Sequence, residues 1–264
     1  MSSSMVLECP LCSHRFPHSV LTGDPEPTAF GFGLDFRLVP RDSNLSSETA
    51  MCPSCRFASL PHDFNRRVPG HVRELVRSTD YINIFKQLPE EELPASRWIA
   101  LISVLDARGI NPRDLGVMSV KGSWVARELC CPCVEKQLLE AADCYFDEAL
   151  RRGLTKGEPA MVMYLLGEVN RRKGDFDRGR EMLTFLGNNP RFRYPALLLT
   201  VLIEEQDSTP YWSLHAPDAM EHHSPAFKGL FPPLRSIPPG KVRFSPDELA
   251  EPARESDEDD GQPY

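Results

Sequence analysis

Tyr164-Leu165-Leu166-Gly167-Glu168-Val169-Asn170-Arg171-Arg172-Lys173-Gly174-Asp175-Phe176 is the stretch from which the fold of this chain can be read. Met161, Tyr164, Leu165 and Val169 recur at helical spacing, so an amphipathic helix runs up to Gly174. Glycine ends it, because glycine adopts the left-handed conformation at a helix terminus at little cost. Asp175 is placed to cap the next helix, which carries Gly179, Leu183 and Leu186. Two helices joined by a tight turn are therefore predicted. Arg171, Arg172 and Lys173 make a basic run in the last turn before Gly174, suited to an acidic partner or to the helix dipole.

The same periodicity extends towards the N-terminus. Trp98, Leu101, Ile102 and Leu105 mark one apolar face, which Gly109 and Pro112 bring to an end. Leu138, Ala142, Tyr145 and Ala149 mark another, ended near Gly153. No strand-like alternation interrupts residues 69–206, which read as an all-helical domain. Part of a tetratricopeptide pattern lies within it. Leu166-Gly167, Gly174 and Phe176 fit the first helix and turn of such a repeat; Gly179 takes the small position, Leu183 the large one, and Pro190 closes it. Ala142, Phe146 and Ala149 repeat the internal spacing, but Pro132 makes that unit's first half irregular and the linker Gly153–Pro159 is too long. The reading is tetratricopeptide-like, and a plain antiparallel bundle satisfies the same stripes.

Residues 1–68 differ in kind, being rich in Pro, Ser, Gly and Cys with no helical periodicity before Pro69. Phe30, Phe32, Leu34, Phe36 and Leu38 alternate, so a half-buried strand is predicted over 28–39, followed by a turn at Asp42-Ser43-Asn44. The chemical signal is Cys9-Pro10-Leu11-Cys12, repeated as Cys52-Pro53-Ser54-Cys55. A Cys-x-x-Cys turn aims two thiolates at one centre while backbone N–H groups support the sulfurs, and two such turns supply four ligands. Soft thiolates favour zinc or iron, and zinc is preferred because nothing else suggests electron transfer. With every position taken by Cys9, Cys12, Cys52 and Cys55, one structural zinc per chain is expected, without an open coordination site. The intervening Ser13–Met51 must form a small hairpin or sheet excursion. His14, His18 and His62 can substitute for a ligand, but read more simply as surface residues.

Cys130-Cys131-Pro132-Cys133, with Cys144 beyond, has redox-like spacing between Cys130 and Cys133. It also lies between two helices with Pro132 as the break, so packing or a helix–helix turn is the default and a second metal or redox site stays open.

The fold class that follows is α+β, mostly α: a zinc-ribbon-like β module over 1–68, a helical tetratricopeptide-like domain over 69–206, and a Pro-rich acidic tail over 207–264. The tail holds ten of the 25 prolines and is expected to be mostly disordered beyond about Lys241. Its last part, Asp247–Tyr264, carries eight acidic residues against Arg254. That is −7 of the total −8, so the rest of the chain is close to neutral at −1. A neutral body lacks the basic face of a nucleic-acid binder. Tyr211, Trp212, Phe227 and Phe231 are candidates to dock the tail on the helices.

Apolar residues at 41% and charged residues at 26% place the chain among ordinary globular proteins rather than fibrous or disordered ones. The longest apolar run, Tyr194–Ile203, falls well short of the roughly 20 residues needed to span a bilayer. Met1–Leu7 lacks the features of a signal peptide, so the cytoplasm is expected, where eight cysteines point to metal or redox chemistry rather than structural disulfides.

The paired knuckles bracketing Val39-Pro40-Arg41-Asp42, the motif Ser123-Trp124-Val125-Ala126-Arg127-Glu128 and the 164–176 run together resemble a bacterial domain-of-unknown-function family, number twenty-two twenty-five. The resemblance spans roughly residues 9 to 200. It implies a zinc-ribbon-like N-terminus followed by tetratricopeptide-like helices in a cytoplasmic bacterial protein, and it implies no known reaction. The chain departs from the family where the glycine that often follows a knuckle is replaced by Ser13 and Arg56.

No phosphate-binding glycine loop, dinucleotide fingerprint, zinc-protease helix or nucleophile elbow is present. Asp80 with Tyr81, and Glu90–Glu92, read as solvated helix residues or caps. The function expected is a non-enzymatic adaptor holding a protein or peptide partner on its helices, with no membrane contact. The alternatives are a rubredoxin-like iron protein and a nucleic-acid-binding zinc ribbon. The latter is disfavoured because Arg37, Arg41, Arg56, Arg66 and Arg67 meet six nearby acids.

Overall fold

The computed structural model describes residues 2–21, 34–35, 45–86, 88–89, 92–189 and 191–210. The alternating strand expected over 28–39, apart from Leu34 and Asp35, lies outside them. So do the turn at 42–44 and the tail beyond residue 210.

The N-terminal module consists of two antiparallel hairpins. β1 (Ser2–Glu8) pairs with β2 (Arg15–Leu21), register Ser2↔Leu21 to Glu8↔Arg15. β3 (Ala50–Met51) pairs with β4 (Ala58–Ser59). Sequence reading did not foresee β1, because Ser2-Ser3-Ser4 carries no apolar alternation. The long hairpin has one buried face: Leu7 and Phe16 lie directly opposite each other and are buried, His18 is buried on the same face of β2, and Val6 on the other face is exposed.

Eight α-helices follow among the described residues: α1 (Gly70–Arg77), α2 (Thr79–Lys86), α3 (Leu93–Ala107), α4 (Pro112–Glu128), α5 (Pro132–Arg151), α6 (Pro159–Lys173), α7 (Phe176–Thr184) and α8 (Arg193–Glu204). Helix begins at Gly70, just after the Pro69 that closes the non-helical sequence. Proline opens α4, α5 and α6, since the first helical position needs no N–H donor and suits the fixed φ of the ring. Pro132 therefore starts α5 rather than disturbing it. Gly174 ends α6 at φ 81°, and the Asp175 side chain accepts from the Arg178 N–H to cap α7.

One apolar core begins between the hairpins and continues without interruption into the helices. Phe64 stands edge-on to both Phe16 and Phe57, with ring centroids 5.6 and 5.4 Å away. The core then runs through Val72 of α1 and Trp98 of α3 to Val125 of α4 and Leu138 of α5. A second core joins α4, α5, α6, α7 and α8. It tightens where α6 meets α7: a Cβ on Gly167 would come within 2.7 Å of the Leu183 side chain, and one on Gly179 within 3.2 Å of the Gly167 carbonyl. These two glycines allow the helix backbones to approach where any larger residue would hold them apart.

Candidate metal centre

Each knuckle sits at the tip of a hairpin, and the two tips are built alike. The Cys9 N–H donates to the His14 carbonyl, and the Ser13 N–H to the Cys9 carbonyl; the Cys52 N–H donates to the Phe57 carbonyl, and the Arg56 N–H to the Cys52 carbonyl. Closing the turn this way puts the residue after each knuckle in the left-handed region, Ser13 at φ 60° and Arg56 at φ 63°. That is the conformation glycine adopts most cheaply. Ser13 and Arg56 therefore each bear a cost that a glycine at the same place would avoid.

The tips face one another. Cys9 Sγ lies 3.4 Å from Cys55 Sγ and Cys12 Sγ lies 3.6 Å from Cys52 Sγ. All four sulfurs fall within 4.8 Å of one another. A tetrahedron of sulfurs around zinc at about 2.3 Å has an edge of about 3.8 Å, so this donor set has the size of a four-thiolate site. Cys9 and Cys52 are buried, Cys55 is half-buried and Cys12 is exposed. Four cysteines that sequence alone placed together are thus brought together, in an arrangement that can hold a metal ion.

The crowding has an electrostatic consequence. The hydrogen bond from Cys55 draws the Cys9 thiol down to about 5, helped by the backbone N–H groups of Leu11 and Cys12. Cys55, across the same contact, is pushed up. Burial pushes Cys52 up to about 11, opposed by the N–H groups of Ser54 and Cys55. Four sulfurs this close cannot all ionise unless a cation neutralises them.

The second tip is supported from the helical side. Tyr81 of α2 is buried, and its hydroxyl donates to the Arg56 carbonyl at 2.8 Å. The Arg56 guanidinium stands 5.5 Å over the Phe85 ring, and Phe85 stacks edge-on to Tyr81. Tyr81 is therefore not a solvated helix residue, contrary to expectation. Its partner is 25 residues away, and nothing in its local sequence marks the contact. Glu92, expected as a solvated residue or a cap, is a buried cap: its carboxylate accepts from the N–H groups of Cys133 and Val134, at the start of α5 rather than of its own helix.

The histidines stand apart from the sulfurs. His14 stacks on Phe16, and His62 is exposed beside Asp63. His18 is not a surface residue: it is buried, Nε2 lies 3.0 Å from the Ser47 carbonyl, and burial holds the imidazole below its ordinary value. Cys130, Cys133 and Cys144 are exposed and Cys131 is buried, its Sγ donating to the Leu129 carbonyl. Among the described residues the only group close enough to share a metal is Cys9, Cys12, Cys52 and Cys55.

The basic run before Gly174 is spent internally. Arg171 is buried against Glu168, Arg172 pairs with Glu135 at 2.6 Å, and Lys173 pairs with Asp143 at 2.6 Å. Successive helical residues point about 100° apart, so each cation reaches a different acid and no basic surface results.

Hairpin-tip cysteine pairs facing one another, packed against a helical body, define a protein with a four-cysteine cluster that could hold a metal ion. More narrowly, the chain belongs to the family described as uncharacterized protein conserved in bacteria (DUF2225), whose model matches residues 4–207. No curated protein and no solved structure matches it. No helix among the described residues is long and apolar enough to cross a membrane.

Proposed function

We propose that the chain is a cytoplasmic, non-enzymatic interaction adaptor in which one structural zinc, held by Cys9, Cys12, Cys52 and Cys55, clamps a zinc-ribbon-like module. A tetratricopeptide-like helical domain presents a surface to a protein or peptide partner. The observation that carries this reading is the closed four-sulfur cluster, whose supports lead into the helices. Cys52 belongs to the same apolar core as Val72, Trp98 and Leu138, so the ion would brace the body rather than serve a substrate. The close approach of Gly167, Gly179 and Leu183 is the packing that a helix-turn-helix repeat requires.

Two measurements test it. Elemental analysis of protein purified without chelator should give one zinc per chain, lost in Cys52→Ser; iron in its place would overturn the zinc assignment. Crosslinking mass spectrometry in intact cells should give a recurrent partner attached to α4–α8. Crosslinks scattered over the whole surface with no recurrent partner would overturn the adaptor role.

A further inference from the structure

The helices already hold one peptide segment, and it is the chain's own. Leu34 is 1% exposed and belongs to the second core with Val120 of α4, Leu139 of α5 and Leu165 of α6. The Tyr164 hydroxyl donates to the Leu34 carbonyl at 2.8 Å across 130 residues of sequence. Arg127 Nη2 meets the Asp35 carboxylate at 3.1 Å across 92. An aliphatic side chain in an apolar pocket, a hydroxyl on a backbone carbonyl and a guanidinium on a carboxylate are the contacts by which helical surfaces recognise peptides.

The fit is incomplete. Beside Asp35 a small cavity remains, about 10 Å³, room for about one water, lined by residues including Glu168, Val169, Arg127 and Arg172. The Arg172 side chain is 8% exposed, and its Nε and Nη1 are buried with no hydrogen-bond partner. Arg127 Nε and Arg172 Nη2 both donate to a single oxygen, Oε1 of Glu135. Asp35 sets a carboxylate against Arg127 Nη2 at the edge of this cavity, so the place it fills suits an anion. Aspartate reaches Arg127 but leaves two N–H groups of Arg172 unsatisfied, an uncompensated cost.

We propose that this is a recognition site for a partner segment in which an apolar residue is followed by an acidic one, and that Leu34-Asp35 occupies it in cis. The inference rests on the adaptor reading and names its site and partner chemistry. Glutamate is the preferred acid, because its extra methylene carries the carboxylate past Arg127 towards the free N–H groups of Arg172. A partner must displace the tethered dipeptide, so the intact chain binds weakly until the partner is concentrated or presented next to it.

The probes are fluorescein-labelled peptides with the sequence of residues 30–38, Phe-Gly-Phe-Gly-Leu-Asp-Phe-Arg-Leu, and the same peptide with glutamate at the aspartate. They are titrated into the zinc-loaded full chain and into Leu34→Ser/Asp35→Asn. The double variant should bind at least tenfold more tightly than the unaltered chain. It should prefer the glutamate peptide, and adding Arg127→Gln should abolish the gain. Should the double variant not fold, judged by zinc content and a cooperative melt, Asp35→Asn keeps Leu34 in place and should still tighten binding several-fold. Equal binding by variant and unaltered chain, or none by a folded variant, would overturn the site. If that happens while crosslinks still recur elsewhere on α4–α8, the adaptor role stands without this site; if no partner recurs, both fall.

Discussion

The two cysteine knuckles share a motif, a hydrogen-bond pattern and a left-handed residue at the same place, yet they are held by different means. The first lies at the end of β1 and β2, seven residues each, and leaves Cys12 exposed. The second lies between β3 and β4, two residues each, too short to stand as an independent hairpin. What it lacks in strand length is supplied from outside, by Tyr81 on its backbone and by Phe64 against its Phe57. A metal ion between the tips would join a hairpin that carries its own ladder to one that depends on the helices. The motif alone gives no sign of that asymmetry.

Metal removal should expose it most fully. Structural zinc supplies about 10–16 kcal/mol of apparent binding in small domains, against a total stability of about 5–15 kcal/mol for a typical protein. Chelation should therefore release hydrogen-exchange protection at β3–β4 and in α1–α3, which share their core, while α6–α8, which pack in the second core, stay protected. Uniform loss over the whole chain would show that the two cores are one cooperative unit. Next in size is the contrast between Cys52→Ser and Cys12→Ser. Both remove a sulfur ligand, but the first also buries a hydroxyl, adding about 1–3 kcal/mol, so its melting temperature should fall further.

Acid should act through the same sulfurs. Burial raises Cys52 and the bond to Cys9 raises Cys55, so both keep their protons at neutral pH and a metal must displace them. Affinity should therefore fall as pH falls from 8 to 6, on the order of tenfold per unit for each proton displaced. A chelator-competition titration flat across that range would contradict the assignment.

Smaller changes separate the knuckles one at a time. Tyr81→Phe removes one hydrogen bond and should cost about 1 kcal/mol, with faster exchange at residues 52–57 and none at 9–14. Ser13→Gly should stabilise by about 1 kcal/mol or less by relieving the left-handed serine. Arg56→Gly should gain less, because it gives up a cation–ring contact worth about 0.5–1 kcal/mol. Equal gains in paired thermal melts would mean that the Phe85 contact contributes nothing.

What was legible in the sequence was local. The knuckles, the stop at Gly174, the cap at Asp175 and the small positions Gly167 and Gly179 each follow from the demands of one turn or one helix pair, which neighbouring residues declare. Tyr81, Glu92 and the Leu34-Asp35 dipeptide were missed because each acts on a partner 25 to 130 residues away. Side-chain type does not encode that distance. The basic run 171–173, read as suited to an acidic partner or to the helix dipole, ends the helix as expected, but its internal pairing was not legible, because helical rotation sends each side chain to its own acid. The four-cysteine cluster could be read because both halves carry the same motif, so that each half identified the other.

The buried Arg171 gives the chain's exit a mechanical character. Its guanidinium, oriented by Glu168, donates to the carbonyls of Asp207 and Thr209, beyond the last turn of α8. Tension applied to anything that follows residue 210 is met first by hydrogen bonds rooted in the middle of the helical body. Without that mooring, a pull would unwind α8 from its free end one turn at a time. With it, the load passes to α6, and the body resists as a block.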